Sequence, residues 1–435
     1  MSPLNFAVRG TVSTLTVRDR QSLFDRTTSS DEAIRGGTAA ILAQVRRRGD
    51  AALRELAERF DGIRLERLEV PRAVCDAALA GLDPALRRAM ERAIANITSV
   101  HLAFKPVTTE ITTSDGIVIG RRPDPLARVG VYAPGGRAAY PSSVLMGAVP
   151  ARVAGVHEVI LCSPPGPDGR PSAAVLAAAS LGGVDRIFSL GGAGAIAAMA
   201  YGTESVPIVD RIVGPGNAYV AEAKAQVSSQ VAIDSPAGPS ELLVLADASA
   251  NALVIARELL AQAEHDPLAA VVLVTTSTEL ASAVEAELSW LLDEAARAEI
   301  VRASLAARGA IVVAASLDEA IAFSSAWAPE HLSLMVRAED EAATLDRVRS
   351  AGTVFVGASA SVAFGDYMSG ANHVLPTSGA ARSYSGLSTL DFVRWTTYQR
   401  IPLEAARSLA EDVGIFADAE GLPAHAAAAR QWRNA

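Results

Sequence analysis

From residue 140 to residue 336 the chain alternates between short runs rich in Val, Ile and Leu and longer Ala- and Leu-rich segments. "HEVILCS", "DRIFSLGG" and "VPIVDRIVG" have the length and β-branched content of strands, and "SAAVLAAASLGG" and "AIAAMAYGT" between them read as helices. The pattern resumes in "SELLVLAD", "LVIARELLAQAEHD", "AAVVLVTT", "GAIVVAAS", "LDEAIAFSSAWAPEH" and "LSLMV". Repeated strand–helix–strand units give parallel sheets with helices on both faces. Two such blocks predict an α/β protein of two Rossmann-like parallel-sheet domains with helical N-terminal and C-terminal extensions. No residue-level repeat between the blocks is strong enough to claim duplication.

The flanks differ. Residues 30 to 104 carry helical spacing and open on the capping signal "SSDE", and the last fifty residues are Ala-rich and read as helical. Between the N-terminal helices and the first block, "ITTSDGIVIGRRPDPLARVGVYAPGG" is β-branched, punctuated by Gly and Pro, and reads as strands. Half of the 435 residues are hydrophobic and 20% are charged, enough for large buried cores. The formal net charge is −9 and no basic stripe occurs, which argues against nucleic acid and anionic membrane as partners. The two cysteines, Cys75 and Cys162, form no CxxC, which argues against a disulfide scaffold or a thiolate zinc site. "MSPLNFAVRG" has no apolar signal core, and runs such as "LAAVVLV" are too short to span a bilayer. A cytoplasmic protein is expected.

Several segments carry residues suited to chemistry. "LLAQAEHD" places Gln262 and His265 at i and i+3, neighbours on one helix face. "GDYMSGANHVLPT" carries Asp366 and His373, "EGLPAH" carries Glu420 and His425, and "APEHL" sets Glu330 beside His331. Of the six histidines, His265, His331, His373 and His425 lie in Gly- or Pro-marked polar segments beside Asp, Glu or Gln, whereas His101 and His157 read as structural. Gln262, His265, Asp366 and His425 form an oxygen/nitrogen donor set suited to Zn²⁺ or another divalent ion in an open, catalytic-type site. There is no HExxH, so a zinc-protease helix is not the reading. Glu330 and His331 are the residue types of general acid/base catalysis, but adjacent strand residues point to opposite faces, so both serve one site only if the backbone bends, as Pro329 allows. Gly192-x-Gly194-x-x-Ala197 lies between a strand and a helix, with Asp210 ending the next strand. It reads either as a dinucleotide fingerprint or as close packing of small residues. "GPGNAYV" opens a helix at Asn217, a plain cap or an anion site, with the cap favoured. "YAPGGRAAYPSSVLM" has the character of a ligand loop between strand and helix.

Together the segments "GVYAPGGRAAYPSSVLM", "GPGNAYVAEAK", "DSPAGPSE", "LLAQAEHD", "APEHL", "GDYMSGANHVLPT", "SYSGLSTLDF" and "EGLPAH" resemble the histidinol dehydrogenase family, in order, from about residue 30 to the C-terminus. The resemblance implies oxidation of L-histidinol to L-histidine in two NAD⁺-dependent steps through a bound aldehyde, histidinal. It implies one Zn²⁺ per subunit on Gln262, His265, Asp366 and His425, anchoring the substrate's imidazole and amino nitrogens. It further implies substrate contacts from Ser240, His331, His373 and Glu420 as well as from the metal ligands. It casts His331 as the base for the hydroxyl proton and Glu330 as the base that activates water, with Tyr132 and Asn217 at NAD positions. Homodimers that share the site through His425 and Glu420 are implied as well. The corresponding division is 1–25 as an N-terminal extension, 26–131 with 239–387 as the metal and substrate domain, 132–238 as the NAD domain and 388–435 as a helical tail reaching the partner. The chain departs from the family at Gly194, where a glutamine that contacts NAD is usual. The apparent fingerprint exists only through that replacement and is discounted. Rival readings are a same-fold dehydrogenase of another small alcohol such as a sulfopropanediol, a zinc hydrolase, or an inactive metal-binding scaffold.

Overall fold

The computed structural model describes residues 4–26, 32–135 and 139–434. Two parallel sheets dominate it. In the six-stranded sheet the order is Val8–Thr11, Ala310–Val313, Ala270–Thr275, Glu241–Ala246, His331–Met335 and Thr353–Val356, with every pairing parallel. After the N-terminal edge strand Val8–Thr11, the chain re-enters this half at Glu241–Ala246, winds outward on one side, then returns to build the other side. The five-stranded sheet repeats the plan, in the order Arg186–Ser189, Glu158–Ser163, Arg128–Tyr132, Arg211–Val213 and Ala232–Ile233, entered at Arg128–Tyr132. Both are doubly wound, as the alternating pattern requires.

The central strands are buried from end to end, since helices cover both faces. Alternate residues feed opposite layers: Val159 and Leu161 join one core, Ile160 and Cys162 the other. The same holds for Leu242 and Val244 against Leu243 and Leu245 in the six-stranded sheet.

The N-terminal segments are shared between the halves differently from the expected division. Helix Glu32–Phe60 covers one face of the five-stranded sheet through Leu42, Val45, Leu53 and Leu56. Helices Arg72–Ala80 and Pro84–Ala103 cover the other through Cys75, Met90, Ala93 and Ile97. The helices within 32–103 therefore pack with the sheet they precede, and a boundary at 131/132 cuts the strand Arg128–Tyr132. Within the expected N-terminal extension, Val8–Thr11 pairs at the edge of the six-stranded sheet and Leu23 joins its core. Apolar periodicity marks a helix face but not the sheet that face will meet. The capping signal at 29–31 lies outside the described residues.

A third, antiparallel sheet joins Thr109–Thr112, Val118–Pro125 and Val393–Arg400. The expected helical tail thus carries a strand, "VRWTTYQR", after a first short turn, and its β-branched and aromatic content suits it. Helices Leu403–Ala419 and Pro423–Arg430 follow and pack on each other. Among the described residues no helix is long and apolar enough to cross a membrane.

Candidate active site

The two sheets meet at a cleft of about 1090 Å³. The five-stranded sheet turns the carboxyl ends of its strands toward it, through Tyr132, Pro164, Gly191 and the loop Pro215–Asn217. Carboxyl ends at a switch in strand order are the usual ligand position of such sheets. The six-stranded sheet turns the opposite way and offers the amino ends of two neighbouring strands, which bring Ser240, Glu330 and His331 to the same space.

Glu330 and His331 are 5% and 4% exposed. The backbone bends as their joint use requires. Helix Leu317–Trp327 ends on Ala328 in the left-handed region, φ 55°, Pro329 follows, and the strand begins only at His331. His331 Nδ1 lies 3.4 Å from Glu330 Oε2 and donates to the Glu241 carbonyl at 2.9 Å. Its Nε2 is buried without a hydrogen-bond partner among the described residues, 3.9 Å from Asp366 Oδ1. A nitrogen in that position is ready to exchange a proton or to meet a ligand. Burial alone would depress the His331 pKa. The Glu330 carboxylate outweighs it by charge and hydrogen bond and, with Asp366, pushes it up to about 9.

Asp366 sits on the short helix Val362–Tyr367, whose first N–H donates to Glu258 Oε2 at 3.1 Å. Glu258 lies one turn before Gln262 on helix Ala252–Ala263, so one carboxylate ties the two donor-bearing elements together. Gln262 is buried in the last turn of that helix. His265 is exposed and lies beyond it, after Glu264 at the cap. The expected single helix face is thus a helix end and the turn that follows. Pro267 disfavours helical geometry at Asp266, which stops the helix short of His265. Gln262, His265 and Asp366 nevertheless line one cleft. His373 joins them, its Nδ1 donating to the Asp366 carbonyl at 2.9 Å and its Nε2 lying 3.3 Å from Ser143 Oγ. Burial lowers the His373 pKa.

His425 and Glu420 are not brought to this cleft. They are exposed on the C-terminal helical segment, Glu420 capping Leu403–Ala419 and His425 within Pro423–Arg430. Among the described residues no three His, Cys, Asp or Glu side chains converge on a metal position. The donors of one chain still fit such an ion: an amide oxygen, an imidazole and a carboxylate suit Zn²⁺, and the cleft is open for a further ligand.

On the opposite wall, Tyr132 is buried and its hydroxyl accepts the Gly192 N–H at 3.1 Å, so it orders that turn. Burial pushes its pKa up to about 12. Asn217 caps helix Ala218–Val227, its Oδ1 accepting the N–H groups of Tyr219 and Val220 at 3.1 Å each. Gly214, φ 116°, precedes it. A Cβ there would lie 2.1 Å from the Tyr132 carbonyl oxygen, so only glycine fits. Gly194 is the third residue of helix Gly192–Tyr201, facing Leu53 and Leu56 of the long N-terminal helix. Cys162 is fully buried and its thiol is pushed up by burial, so it stays an apolar core residue.

The histidinol dehydrogenase family model matches residues 24–433. The chain belongs to the histidinol dehydrogenase family. It is 49% identical to the histidinol dehydrogenase of Methanosarcina barkeri over 393 residues, 90% of each chain. It is 50% identical to that of Xanthomonas euvesicatoria over 394 residues, 90% of this chain and 91% of the relative. The crystal structure of histidinol dehydrogenase from Elizabethkingia anophelis matches with a TM-score of 0.93 at 34% identity, covering 99% of both chains. An acetylating aldehyde dehydrogenase from Geobacillus thermoglucosidasius, 14% identical with a TM-score of 0.50, shares the fold alone.

Within this histidinol dehydrogenase framework the structure adds residues that the motifs did not single out. Lys224 Nζ donates to the Gly214 carbonyl at 3.0 Å and Asp234 Oδ2 accepts the Gly214 N–H at 2.8 Å, while the two side chains form a buried ion pair. Glu241 is buried beside Glu330, and burial raises its carboxyl to about 7 even with Arg26 alongside. Charged residues at the head of an apolar strand, "SELLVLAD", or within an apolar helix, "AYVAEAKAQV", were the available signal.

Proposed function

We propose that the chain oxidises L-histidinol to L-histidine in two successive hydride transfers to NAD⁺, retaining histidinal between them. The observation that carries the reading is the buried Nε2 of His331, without a hydrogen-bond partner among the described residues, on a ring flanked by the carboxyl groups of Glu330 and Asp366 in a cleft that also holds three candidate metal donors.

In the first step neutral His331, its Nδ1–H held by the Glu241 carbonyl, accepts the hydroxyl proton at Nε2 as the carbinol carbon releases hydride to NAD⁺, giving the aldehyde. In the second, the Glu330 carboxylate takes a proton from water as its oxygen bonds to the aldehyde carbon. The hydrate anion then releases a second hydride to a second NAD⁺, and the acid so formed loses its proton to solvent and leaves as the carboxylate. Glu330 is fixed for this by the Glu241 N–H at 2.7 Å. Gln262, His265 and Asp366, with His425 of a second copy of the chain, would hold Zn²⁺. That ion would supply an anchor for the substrate's imidazole and amino nitrogens. Ser240, His373 and Glu420 complete the substrate contacts. NAD⁺ belongs on the five-stranded side, against Tyr132, Gly194 and Asn217, where carboxyl-end loops line the cleft. The metal and substrate side is the six-stranded half. The sharing of the site between two copies is supported by exposed Glu420 and His425 on a segment that also exposes Ile415, Phe416, Leu422 and Trp432. A cytoplasmic location follows from the same reading.

NADH formation from histidinol, measured after chelation and again after Zn²⁺ is restored, tests the proposal. Turnover should vanish and return, and a sulfopropanediol should not replace histidinol. Full activity in metal-free protein, or preference for the diol, refutes it.

A further inference from the structure

One buried residue holds both members of the Glu330–His331 pair, and the proton steps do not use its side chain. Glu241 opens the strand Glu241–Ala246 and is 1% exposed. Its N–H donates to Glu330 Oε2 at 2.7 Å and its carbonyl accepts from His331 Nδ1 at 2.9 Å. A shift of this residue's backbone therefore moves both reactive groups.

The Glu241 side chain is anchored on the side away from them. Its Oε1 accepts the Ser378 N–H at 2.8 Å and lies 3.2 Å from Arg26 Nε. Arg26, 4% exposed, stacks with its guanidinium carbon 3.6 Å from the Trp327 ring centroid and donates from Nη2 to the Trp327 carbonyl at 2.6 Å. Trp327 stands three residues before Glu330 and is itself fixed by its indole N–H, which donates to the Leu23 carbonyl at 2.8 Å. Ser378 Oγ closes the circuit by donating to the Arg26 carbonyl at 3.0 Å. One guanidinium thus touches both the strand head that aims the pair and the turn that carries Glu330. A planar fork can do both at once, which a single ammonium cannot.

We infer that Arg26, acting through Glu241 and the Trp327 carbonyl, is a positioning residue that sets the Glu330–His331 geometry. The inference rests on the acid/base reading of that pair. Stability is a poor explanation for the ion pair. Burial moves both partners toward their neutral forms, Arg26 down to about 10 and Glu241 up to about 7, so desolvation exceeds their mutual attraction. Apolar replacement of such pairs is often neutral or stabilising, whereas catalytic groups must be held to a fraction of an ångström.

Arg26→Lys, Arg26→Met and the apolar pair Arg26→Met with Glu241→Leu test this, with melting temperature, kcat and both KM values measured for histidinol and for supplied histidinal. The expected result is a kcat lowered by about 10- to 100-fold in both half-reactions, with KM within about twofold. The apolar pair should regain thermal stability without regaining kcat. A kcat that tracks the folded fraction, a kcat restored with stability in the apolar pair, or a rise in KM at unchanged kcat overturns the inference. Glu330→Gln is run alongside. If it retains full activity, the acid/base reading fails and the positioning role with it. If it loses activity while Arg26→Lys does not, the positioning role alone is refuted.

Discussion

Glu330→Gln removes a charge and almost nothing else. The amide oxygen can still accept the Glu241 N–H that now reaches Glu330 Oε2 at 2.7 Å, so the turn should hold. What disappears is the negative charge 3.4 Å from His331 Nδ1. Burial favours neutral His331, and Glu330 is the largest influence raising its pKa to about 9. The variant should therefore hold His331 neutral at assay pH and so able to accept the hydroxyl proton in the first step. The second step loses its base outright, which is worth about 10²- to 10⁴-fold. Oxidation of supplied histidinal should fall by that factor, and the first hydride transfer by no more than roughly tenfold. In a stopped-flow trace with histidinol and NAD⁺, the variant should give a fast phase of NADH from the first step alone, followed by a slow phase. Equal losses in both half-reactions would refute the division of labour between Glu330 and His331.

Two further perturbations probe the surroundings. Gly194→Gln restores an amide on the NAD side. One neutral hydrogen bond is worth about 0.5–1.5 kcal/mol, so the NAD⁺ KM should fall roughly twofold to tenfold with kcat within about twofold. A Cβ there lies 3.2 Å from Leu56 Cδ1, so the melting temperature should also drop slightly; a raised KM contradicts the missing contact and revives direct backbone binding. His101 is 1% exposed with neither ring nitrogen partnered among the described residues, and burial lowers its pKa from 6.5 to about 4. The folded-state pKa lies below the unfolded one, so the neutral form's contribution is complete above pH 6.5 and is lost as pH falls through about 4. That loss amounts to about 3 kcal/mol. Urea unfolding at pH 7 and pH 4 should show it in the wild type and not in His101→Leu; equal losses in both proteins refute the assignment.

The doubly wound halves were legible because buried parallel strands and their covering helices write distinct local patterns, as "HEVILCS" and "SAAVLAAASLGG" do. The allocation of 32–103 to the five-stranded sheet was not, since a helix face such as Leu42, Val45, Leu53 and Leu56 fits any apolar surface. Most candidate site residues were named from the resemblance and from polar residues in Gly- or Pro-marked segments. Asp366, His331 and His373 meet because a helix cap by Glu258, a bend at Ala328–Pro329 and the turn before His373 place them together. Arg26 stayed hidden because its contacts lie about 215 and 300 positions away, at Glu241 and Trp327. The distance of His425 and Glu420 from the cleft is equally invisible in sequence.

The central claim is a four-electron oxidation completed at one site. It is tested most directly by the stoichiometry of NADH formed to histidinol consumed, with a carbonyl trap such as semicarbazide in the medium. The account requires two NADH and one histidine for each histidinol, with no trapped histidinal. One NADH per histidinol, with the aldehyde recovered as its trapped adduct, would contradict it.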